Sequence, residues 1–399
     1  MLETLTSEWL NLVLRWVHIT VGIAWIGSSF LFVWMDSHLR PGETPKPGVY
    51  GELWMVHGGG FYHLEKYTVA PAKLPKTLHW FMWESYSTWL SGFALLVLIY
   101  FIGAETYLLR PGSGFDAVDG TAIAIAILLG GWLLYDGLCR LMEGRSTALL
   151  GALVFAAITA AAWGMTQIFS GRGAFIMTGA MIGTIMSANV FRIIIPNQRI
   201  AVAAMMRGEA PEARLGMQAR QRSLHNSYLT LPLLFTMISN HYAAVFGHAW
   251  NWLILAGLGV IGALVRHAFI SRNRGQPVPW LLPGAAVAML TLAFVATPRA
   301  LPGAGDGAQA AAVPFHQVAD IMEKRCTACH AARPTFEGFQ APPKGVVLDS
   351  PASIRNEAKR IYAQSVATDA MPIGNATQMT PEERTLIGEW VRQGAKIEP

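Results

Sequence analysis

The chain has 399 residues, of which 53% are hydrophobic and only 14% are charged, and its formal net charge is +5 at pH 7. A soluble globular protein carries about 25% charged residues, so this composition excludes an ordinary soluble enzyme and indicates a protein embedded in a membrane. The lipid bilayer is therefore a predicted partner. The modest positive charge reflects membrane topology and implies no nucleic-acid partner.

Apolar segments long enough to cross a bilayer, which takes about 20 residues in a helix, recur throughout the first three quarters of the chain. We predict an all-α fold for this region, a polytopic transmembrane bundle of about eight helices that forms a domain over residues 1–297. The predicted spans cover residues 10–35, 80–103, 121–141, 147–169, 174–195, 229–247, 250–270 and 280–297.

Lysine and arginine are concentrated in alternate loops of this predicted bundle, namely 36–79, 192–228, 266–279 and a short third loop with Arg140 and Arg145. Basic residues accumulate in cytoplasmic loops because they are translocated poorly. The N-terminus is therefore predicted to lie outside, and after eight spans the C-terminal tail emerges on the same side. We expect a multi-pass protein of the bacterial inner membrane whose tail faces the periplasm.

Histidines inside or beside the predicted spans are candidate cofactor ligands, because polar groups are costly in a bilayer and usually serve a function there. His18 lies within the first span and His241 near the outer end of the sixth. Two imidazoles at one depth can bind the iron of a haem b from opposite sides, and we predict this pair as its ligands. Alternatively, such histidines only form hydrogen bonds at the membrane interface. The sequence leaves both possibilities open.

The loop between the first two spans contains HGGGFYHLEKY, which combines glycines with acid-base and aromatic side chains. His57 and His63 lie in this segment, and Glu84 follows at the start of the second span. The glycines do not form a nucleotide-binding fingerprint, because no strand and helix of the right kind frame them. Two interpretations remain open, a tight turn packed on the bundle and a substrate site.

Residues 298–313, PRALPGAGDGAQAAAV, change abruptly to small residues, Pro and Gly, a composition typical of flexible linkers. From residue 314 to residue 399, acidic and basic residues are balanced and no apolar segment is long enough to span a membrane. This last region is predicted to be a small soluble domain.

The segment CTACH in this domain matches the haem c attachment motif, in which Cys326 and Cys329 form thioether bonds to the haem and His330 is an iron ligand. A zinc site is disfavoured, because no second cysteine pair completes a tetrahedral ligand set. No histidine follows His330, so the second axial ligand is predicted to be a methionine. Met371, in the loop DAMPIGN, is preferred over Met379.

Two helices are predicted around this site. FHQVADIMEKR has helical apolar spacing before the motif, and TPEE, starting at Thr380, is typical of a capping box that begins the last helix. The order of attachment motif, methionine loop and closing helix resembles a class I-like cytochrome c. An iron whose two axial positions are occupied by His and Met has no open position for oxygen, so it suits electron transfer better than oxygen binding.

The segments WVHITVGIAWIGSSFLFVWMDSHLR, HGGGFYHLEKY and LHWFMWESYSTWLSG, followed by a multi-span bundle and a fused C-x-x-C-H domain, resemble the bacterial membrane-bound urate hydroxylases over the whole chain. The resemblance implies oxidation of urate to 5-hydroxyisourate, with electrons leaving through haem c toward the respiratory chain. The expected partners are urate and, as electron acceptor, a soluble or membrane cytochrome c or a cytochrome c oxidase. We expect water to supply the oxygen and no hydrogen peroxide to form.

This chemistry requires a base that takes up protons, and His57, His63 and Glu84 are the candidates. If urate binds on the cytoplasmic side, its electrons must cross about 30 Å of hydrocarbon to reach haem c, which favours a haem b within the bundle. Two other functions remain open. One is an electron-transfer subunit that oxidises a quinol and performs no substrate chemistry, and the other is a transporter with a redox accessory.

Overall fold

The computed structural model describes residues 8–44, 46–68, 70–71, 74–75, 77–297, 312–336 and 339–397. Its first part is built mainly from helices, as the sequence predicts. They are α1 Leu10–His38, α2 Trp83–Leu95, α3 Ala117–Leu141, α4 Thr147–Ile168, α5 Gly171–Asn189, α6 Ile195–Met206, α7 Ala213–Ile238, α8 Asn251–Asn273 and α9 Leu281–Ala296.

Wider π-helical turns interrupt two of these helices. Leu96–Phe101 and Ala104–Leu108 continue α2, and Val190–Ile194 joins α5 to α6 without a break. Short π-helical insertions are rare and are found mostly at functional sites. The segment Val190–Ile194 therefore marks the neighbouring side chains as candidates for a functional site.

Five helices in the described part of the chain are long and apolar enough to cross a membrane, which is consistent with a membrane protein. They are Leu10–His38, Ala117–Leu141, Thr147–Ile168, Gly171–Met206 and Asn251–Asn273. Helices also form at the other three predicted spans, but they do not meet this standard. The straight α-helical part of α2 has 13 residues, α9 has 16, and α7 begins with polar turns.

The centre of the bundle is α5, the most deeply buried of the five long helices. Small residues allow its neighbours to approach closely, as is usual between membrane helices. A Cβ added at Gly179 would lie 2.1 Å from Oγ1 of Thr236 on α7, and one at Gly173 would lie 2.4 Å from the carbonyl oxygen of Leu108. Packing of α5 against α3, α4 and α7 forms the apolar core.

The loop between α1 and α2 contains a β-hairpin, which the all-α prediction missed. Strand β1 is Val49–His57, strand β2 is Gly60–Tyr67, and the two pair antiparallel with His57 opposite Gly60. Gly58 and Gly59 have φ angles of 59° and 78°, and this two-residue turn needs positive φ at both central positions. The glycines therefore make a tight turn, and no atom of the described residues lies within 4 Å of their Cβ positions.

The C-terminal part is a small helical unit with its own core. Its helices are α10 Phe315–Arg325, a single turn Thr327–His330, α11 Pro351–Asn356, α12 Ala358–Ser365 and α13 Pro381–Arg392. Met322, Ile387 and Trp390 are at most 1% exposed at its centre. The helix predicted before the attachment motif is confirmed, and so is the capping box, in which Thr380 and Glu383 bond reciprocally. The predicted linker 298–313 lies outside the described residues except for its last two positions.

This unit packs against one end of the bundle, which we call the docking end and which comprises residues 104–109, 169–171 and 239–250. A Cβ at Gly374 would lie 2.7 Å from the carbonyl oxygen of Thr106, and one at Gly247 would lie 2.7 Å from Cβ of Thr368. Ala370 packs on a small apolar cluster that includes Phe246. The loops of the docking end are the ones poor in Lys and Arg, so the tail and those loops share one end of the bundle. The side of the membrane on which they lie stays a prediction.

The opposite end carries the arginines and is called the arginine-rich end, comprising residues 140–147, 190–222 and 266–281. Helix α5 runs between the two ends over 19 residues, which corresponds to about 28 Å at 1.5 Å per residue. Any chemistry at the arginine-rich end is therefore separated from the docked tail by the thickness of the bundle.

Candidate functional site

The three residues of the attachment motif are arranged as a c-type haem requires. Cys326 closes α10, and the helical turn that follows carries Cys329 and His330, with both cysteines free. Nδ1 of His330 lies 3.0 Å from the carbonyl oxygen of Val346. A backbone carbonyl on Nδ1 fixes the ring and its tautomer and leaves Nε2 as the ligand atom. The residues present therefore fit covalent haem attachment.

The acidity of the two cysteines agrees with this arrangement. Burial raises the pKa of the Cys326 thiol to about 12 and also raises the pKa of Cys329. Both residues are therefore thiols at neutral pH.

The two candidate methionines occupy different surroundings. Met379 is 3% exposed and belongs to the core of the C-terminal unit, so its side chain already packs there. Met371 is half-buried, and its backbone is held by hydrogen bonds to Gln364 O and from Arg384 Nη1, both 2.8 Å. A fixed backbone with a side chain outside the core suits a ligand loop, which favours Met371 as the iron ligand.

His18 is held inside the bundle, on the face of α1 that packs on α2. Its Nδ1 lies 3.0 Å from the carbonyl oxygen of Thr88 and 3.1 Å from Oγ of Ser91. The ring also fills the space beside Gly92, where an added Cβ would lie 2.8 Å from Cε1. Because Gly92 has no side chain, the imidazole of His18 fits against it. Nε2 of His18 is the atom left to bind a metal.

His241 lies elsewhere, exposed in a short turn at the docking end. Its neighbour Asn240 donates to the hydroxyl of Tyr100 over 3.0 Å. Tyr100 follows Ser91, which contacts His18, by nine residues, which corresponds to about 13 Å along the helix. The two histidines therefore lie at different depths, and the structure does not bring the predicted pair together.

The hairpin residues predicted to be catalytic face solvent. His57 is exposed at the end of β1, and the ring of His63 stacks on Trp54 with 4.2 Å between centroids. Nε2 of His63 also lies 3.0 Å from a carboxylate oxygen of Glu52. These contacts describe an open surface patch, and they hold neither histidine against the bundle.

Glu52, His63 and Glu65 place one ligand atom each within 4.8 Å of one another, a spacing that could hold a metal ion. However, Lys46 and Tyr67 already hydrogen-bond to Glu65. These bonds hold the pKa of Glu65 below its usual value and raise the pKa of Lys46. The cluster is therefore an ion-pair network on the surface.

Glu84, the third predicted catalytic residue, lies on the first turn of α2. Its Oε1 is 3.8 Å from Nε2 of His79, and its Oε2 is buried with no hydrogen-bond partner among the described residues. The structure thus separates Glu84, which belongs to the bundle, from His57 and His63, which belong to the hairpin.

A buried polar network between α3, α5 and α7 was not predicted from the sequence. Its centre is the hydroxyl of Tyr135, which lies 2.8 Å from Nδ1 of His225 and accepts a 3.1 Å hydrogen bond from Asn189. Asn189 also donates to Asn226 over 3.0 Å. Cys139 is 2% exposed, with its sulfur 3.9 Å from Nδ1 of His225.

An ionic group borders this network. Arg222, only 4% exposed, donates through Nη2 to Asp136 over 2.6 Å, and Arg140 donates to the other oxygen of the same carboxylate over 2.6 Å. The guanidinium of Arg222 also lies over the ring of Tyr135, 5.0 Å from its centroid. Two cations thus share one anion at the arginine-rich end.

Two adjoining cavities, each of about 420 Å³, open at this place and share Arg140 and Ile193 in their walls. The first has Arg222 in its lining, together with the following residues: Glu143, Asn197, Glu212, Arg214, Leu215 and Gln218. The second adds Trp132, Pro196, Arg199 and two residues of the π-helical segment Val190–Ile194, namely Phe191 and Arg192.

The sequence did contain a signal for this site. Arg222, His225 and Asn226 are spaced three and four residues apart in RQRSLHNS, so they share one face of α7. Polar residues on one face at the start of a span are expected to point into the bundle. The positive-inside rule alone accounts for arginines in this loop, so it does not single out Arg222.

Comparison with known proteins matches residues 4–297 to the family model described as urate oxidase N-terminal. No curated protein and no solved structure matches the chain. The matched residues include the whole bundle with its polar network and cavities, and exclude the unit with the CTACH motif. Because this match covers most of the sequence, the chain belongs to the urate oxidase N-terminal family.

Proposed function

We propose that this protein is a membrane-bound urate hydroxylase that oxidises urate to 5-hydroxyisourate and passes the electrons out through haem c. Membership of the urate oxidase N-terminal family carries the proposal, since it indicates an oxidoreductase that acts on urate. The geometry of Cys326, Cys329 and His330 supports the electron exit, because a backbone carbonyl already orients the histidine.

The reaction balances without molecular oxygen. Urate monoanion and one water give 5-hydroxyisourate, one proton and two electrons, so the chain must hold urate, admit water and accept a proton. A haem c supplies one-electron transfer when bound. The residues proposed to hold it are Cys326, Cys329, His330 and Met371.

The docked position of the tail supports intramolecular electron transfer. The loop after Met371 contacts the bundle, with Gly374 against Thr106. The axial-ligand loop is therefore the part of the C-terminal unit that meets the bundle. A soluble or membrane cytochrome c, or a cytochrome c oxidase, is the proposed acceptor of the electrons that leave this unit.

A haem b in the bundle remains part of the proposal. His18 fits the role of a ligand, because its Nδ1 is occupied by Thr88 and Ser91 while Nε2 is left for iron. His241 stays a proposed partner, although the two histidines lie at different depths. His57, His63 and Glu84 stay proposed bases, and of the three only Glu84 lies on the bundle, with a buried carboxylate oxygen.

Reduction of ferricytochrome c by the purified chain tests the proposal. Urate should support reduction under argon, and a Cys326→Ala variant should lose this activity while urate still binds. A short-chain quinol serves as the alternative donor. Reduction by the quinol but not by urate would contradict the proposal and would favour an electron-transfer subunit without substrate chemistry.

A further inference from the structure

We propose that the cavity above Arg222, at the arginine-rich end, is the site that binds urate, as its monoanion, with Arg222 as the anion-binding residue and His225 as the proton acceptor. This inference rests on the proposed function and adds the location of the site. It places substrate binding on the bundle and away from the hairpin.

The charges around the cavity favour an anion. Asp136 is shared by Arg140 and Arg222, so these three residues together carry one excess positive charge. At the rim, Arg214 and Glu143 form a bidentate pair with 2.8 and 2.9 Å distances and largely neutralise each other. Glu212, at the mouth, is exposed to solvent. Arg222 is the buried member of this group, where an anion interacts most strongly. Arg192 and Arg199 add exposed positive charge to the adjoining cavity.

Arg222 has a free donor that can reach a ligand. Its side chain is 5% exposed and lines the cavity, yet Nη1 has no hydrogen-bond partner among the described residues. A buried polar atom without a partner is unfavourable, and more so when the group is charged. A ligand oxygen at this position would remove that penalty.

The other unpartnered atoms distinguish a purine from a simple oxyanion. Asn189 and His225 both contact Tyr135, as Arg222 does, and Oδ1 of Asn189 and Nε2 of His225 are likewise buried without partners. The group therefore combines donor and acceptor positions. A fully ionised oxyanion such as sulfate can only accept hydrogen bonds, whereas the edges of urate alternate N–H donors with C=O acceptors.

The size and walls of the cavities also suit a flat heterocycle. A volume of about 420 Å³ falls within the range of about 300–1,000 Å³ of small-molecule sites. In the adjoining cavity, the indole N–H of Trp132 is buried without a partner among the described residues, and Phe191 offers an exposed ring. Aromatic faces of this kind stack on planar ligands.

His225 does not line either cavity, but it follows Arg222 by one turn on α7, and both residues contact Tyr135. We therefore assign to it the proton that the reaction releases. Its Nδ1 contacts the Tyr135 hydroxyl, and its Nε2 has no partner among the described residues. When water adds at C5 of oxidised urate, the C–O bond forms and a water proton leaves. In this step His225 has the tautomer in which Nδ1–H donates to the Tyr135 oxygen, so its Nε2 accepts that proton. The two electrons leave urate for the haem c acceptor of the proposed function.

Urate binding to the full chain in nanodiscs, measured by equilibrium dialysis under argon without acceptor, tests the site. Arg222→Gln should weaken binding by about 10- to 150-fold, the range expected for one hydrogen bond to a charged group. Arg220→Gln, an exposed arginine on the same helix outside the cavity lining, should bind as the wild type does.

A second measurement does not depend on folding of the Arg222 variant. A cysteine placed at the cavity wall by Asn197→Cys should react with a methanethiosulfonate, and urate should slow this labelling at least tenfold. A cysteine introduced by Arg220→Cys should react equally fast with and without urate. The native Cys139 is 2% exposed and gives little background.

The outcomes separate this inference from the proposed function. If the wild type binds and oxidises urate but Arg222→Gln binds normally, or if urate does not protect the cysteine of Asn197→Cys, the site is elsewhere and the proposed function stands. Loss of urate binding when anionic lipid replaces neutral lipid would identify a headgroup site and also overturn the inference. A wild type that neither binds nor oxidises urate would refute the proposed function.

Discussion

Replacing Gly374 by alanine should displace the C-terminal unit from the bundle. The added Cβ would lie 2.7 Å from the carbonyl oxygen of Thr106 and 3.0 Å from its Cα. Both atoms belong to the backbone, so neither can move aside as a flexible side chain would. Overpacking of this kind destabilises a contact by about 1–3 kcal/mol, which corresponds to a shift of about 5- to 150-fold in the docking equilibrium.

Gly345→Ala is the matched control for this substitution. Gly345 also has a positive φ, 67° against 57° at Gly374, but nothing lies within 4 Å of its Cβ position. Both variants therefore carry the same backbone strain, of about 1–2 kcal/mol. Only the methyl group added at Gly374 contacts the bundle. The difference between the effects of the two substitutions therefore reports on docking alone.

The assay is stopped-flow reduction of haem c by urate. Gly374→Ala should slow this reduction by up to about 5- to 150-fold, the shift expected in the docking equilibrium. Gly345→Ala should retain most of the wild-type rate. Dithionite should reduce both variants equally, and an unchanged axial-ligand spectrum would show that Met371 is undisturbed. Equal rates of urate-dependent reduction in the two variants would refute the view that electrons cross the contact between Gly374 and Thr106.

Three further predictions address the cofactors and the loop at the arginine-rich end. Met371→Ala should abolish the thioether-ligand absorption band while covalent haem is retained. Met379→Ala should keep the band and destabilise the C-terminal unit by about 2–5 kcal/mol in denaturant unfolding. The reverse pattern would identify Met379 as the ligand. The Arg214 guanidinium lowers the pKa of Glu143 to about 2. The ion pair between these residues therefore stabilises the fold fully above the pKa of Glu143 in the unfolded chain, about 4.3. This stabilisation is lost as the pH falls toward 2. Glu143→Gln should therefore flatten the dependence of Tm on pH between 2 and 5, and an unchanged profile would contradict this. His18→Ala should lose b-type haem in pyridine haemochrome analysis, and equal b-type haem in variant and wild type would exclude His18 as a ligand.

The positions of the helices were predictable because apolar length is a strong local signal. A helix forms at each of the eight predicted spans, although only five are long and apolar enough to cross a membrane. The capping box at Thr380 was predicted for the same reason, since its residues are three positions apart. Such features depend on neighbours in sequence, and the sequence contains them in full.

The hairpin and the polar network were missed because they depend on other information. The strands around Gly58 and Gly59 carry polar and aromatic residues on both faces, so the alternation that marks a half-buried strand is weak. The network joins Tyr135, Asn189 and His225 across three helices. A single sequence does not show which helix faces meet. For the same reason it does not show that His18 and His241 lie at different depths.

Turnover in water labelled with oxygen-18, under argon and with ferricytochrome c as acceptor, tests urate hydroxylation through haem c most directly. Urate should be consumed, two equivalents of cytochrome c should be reduced per urate, and the label should appear in 5-hydroxyisourate. No hydrogen peroxide should form when air is admitted. A strict requirement for O₂, with unlabelled product and one peroxide per urate, would contradict both the water-derived oxygen and the electron exit at Cys326, Cys329 and His330.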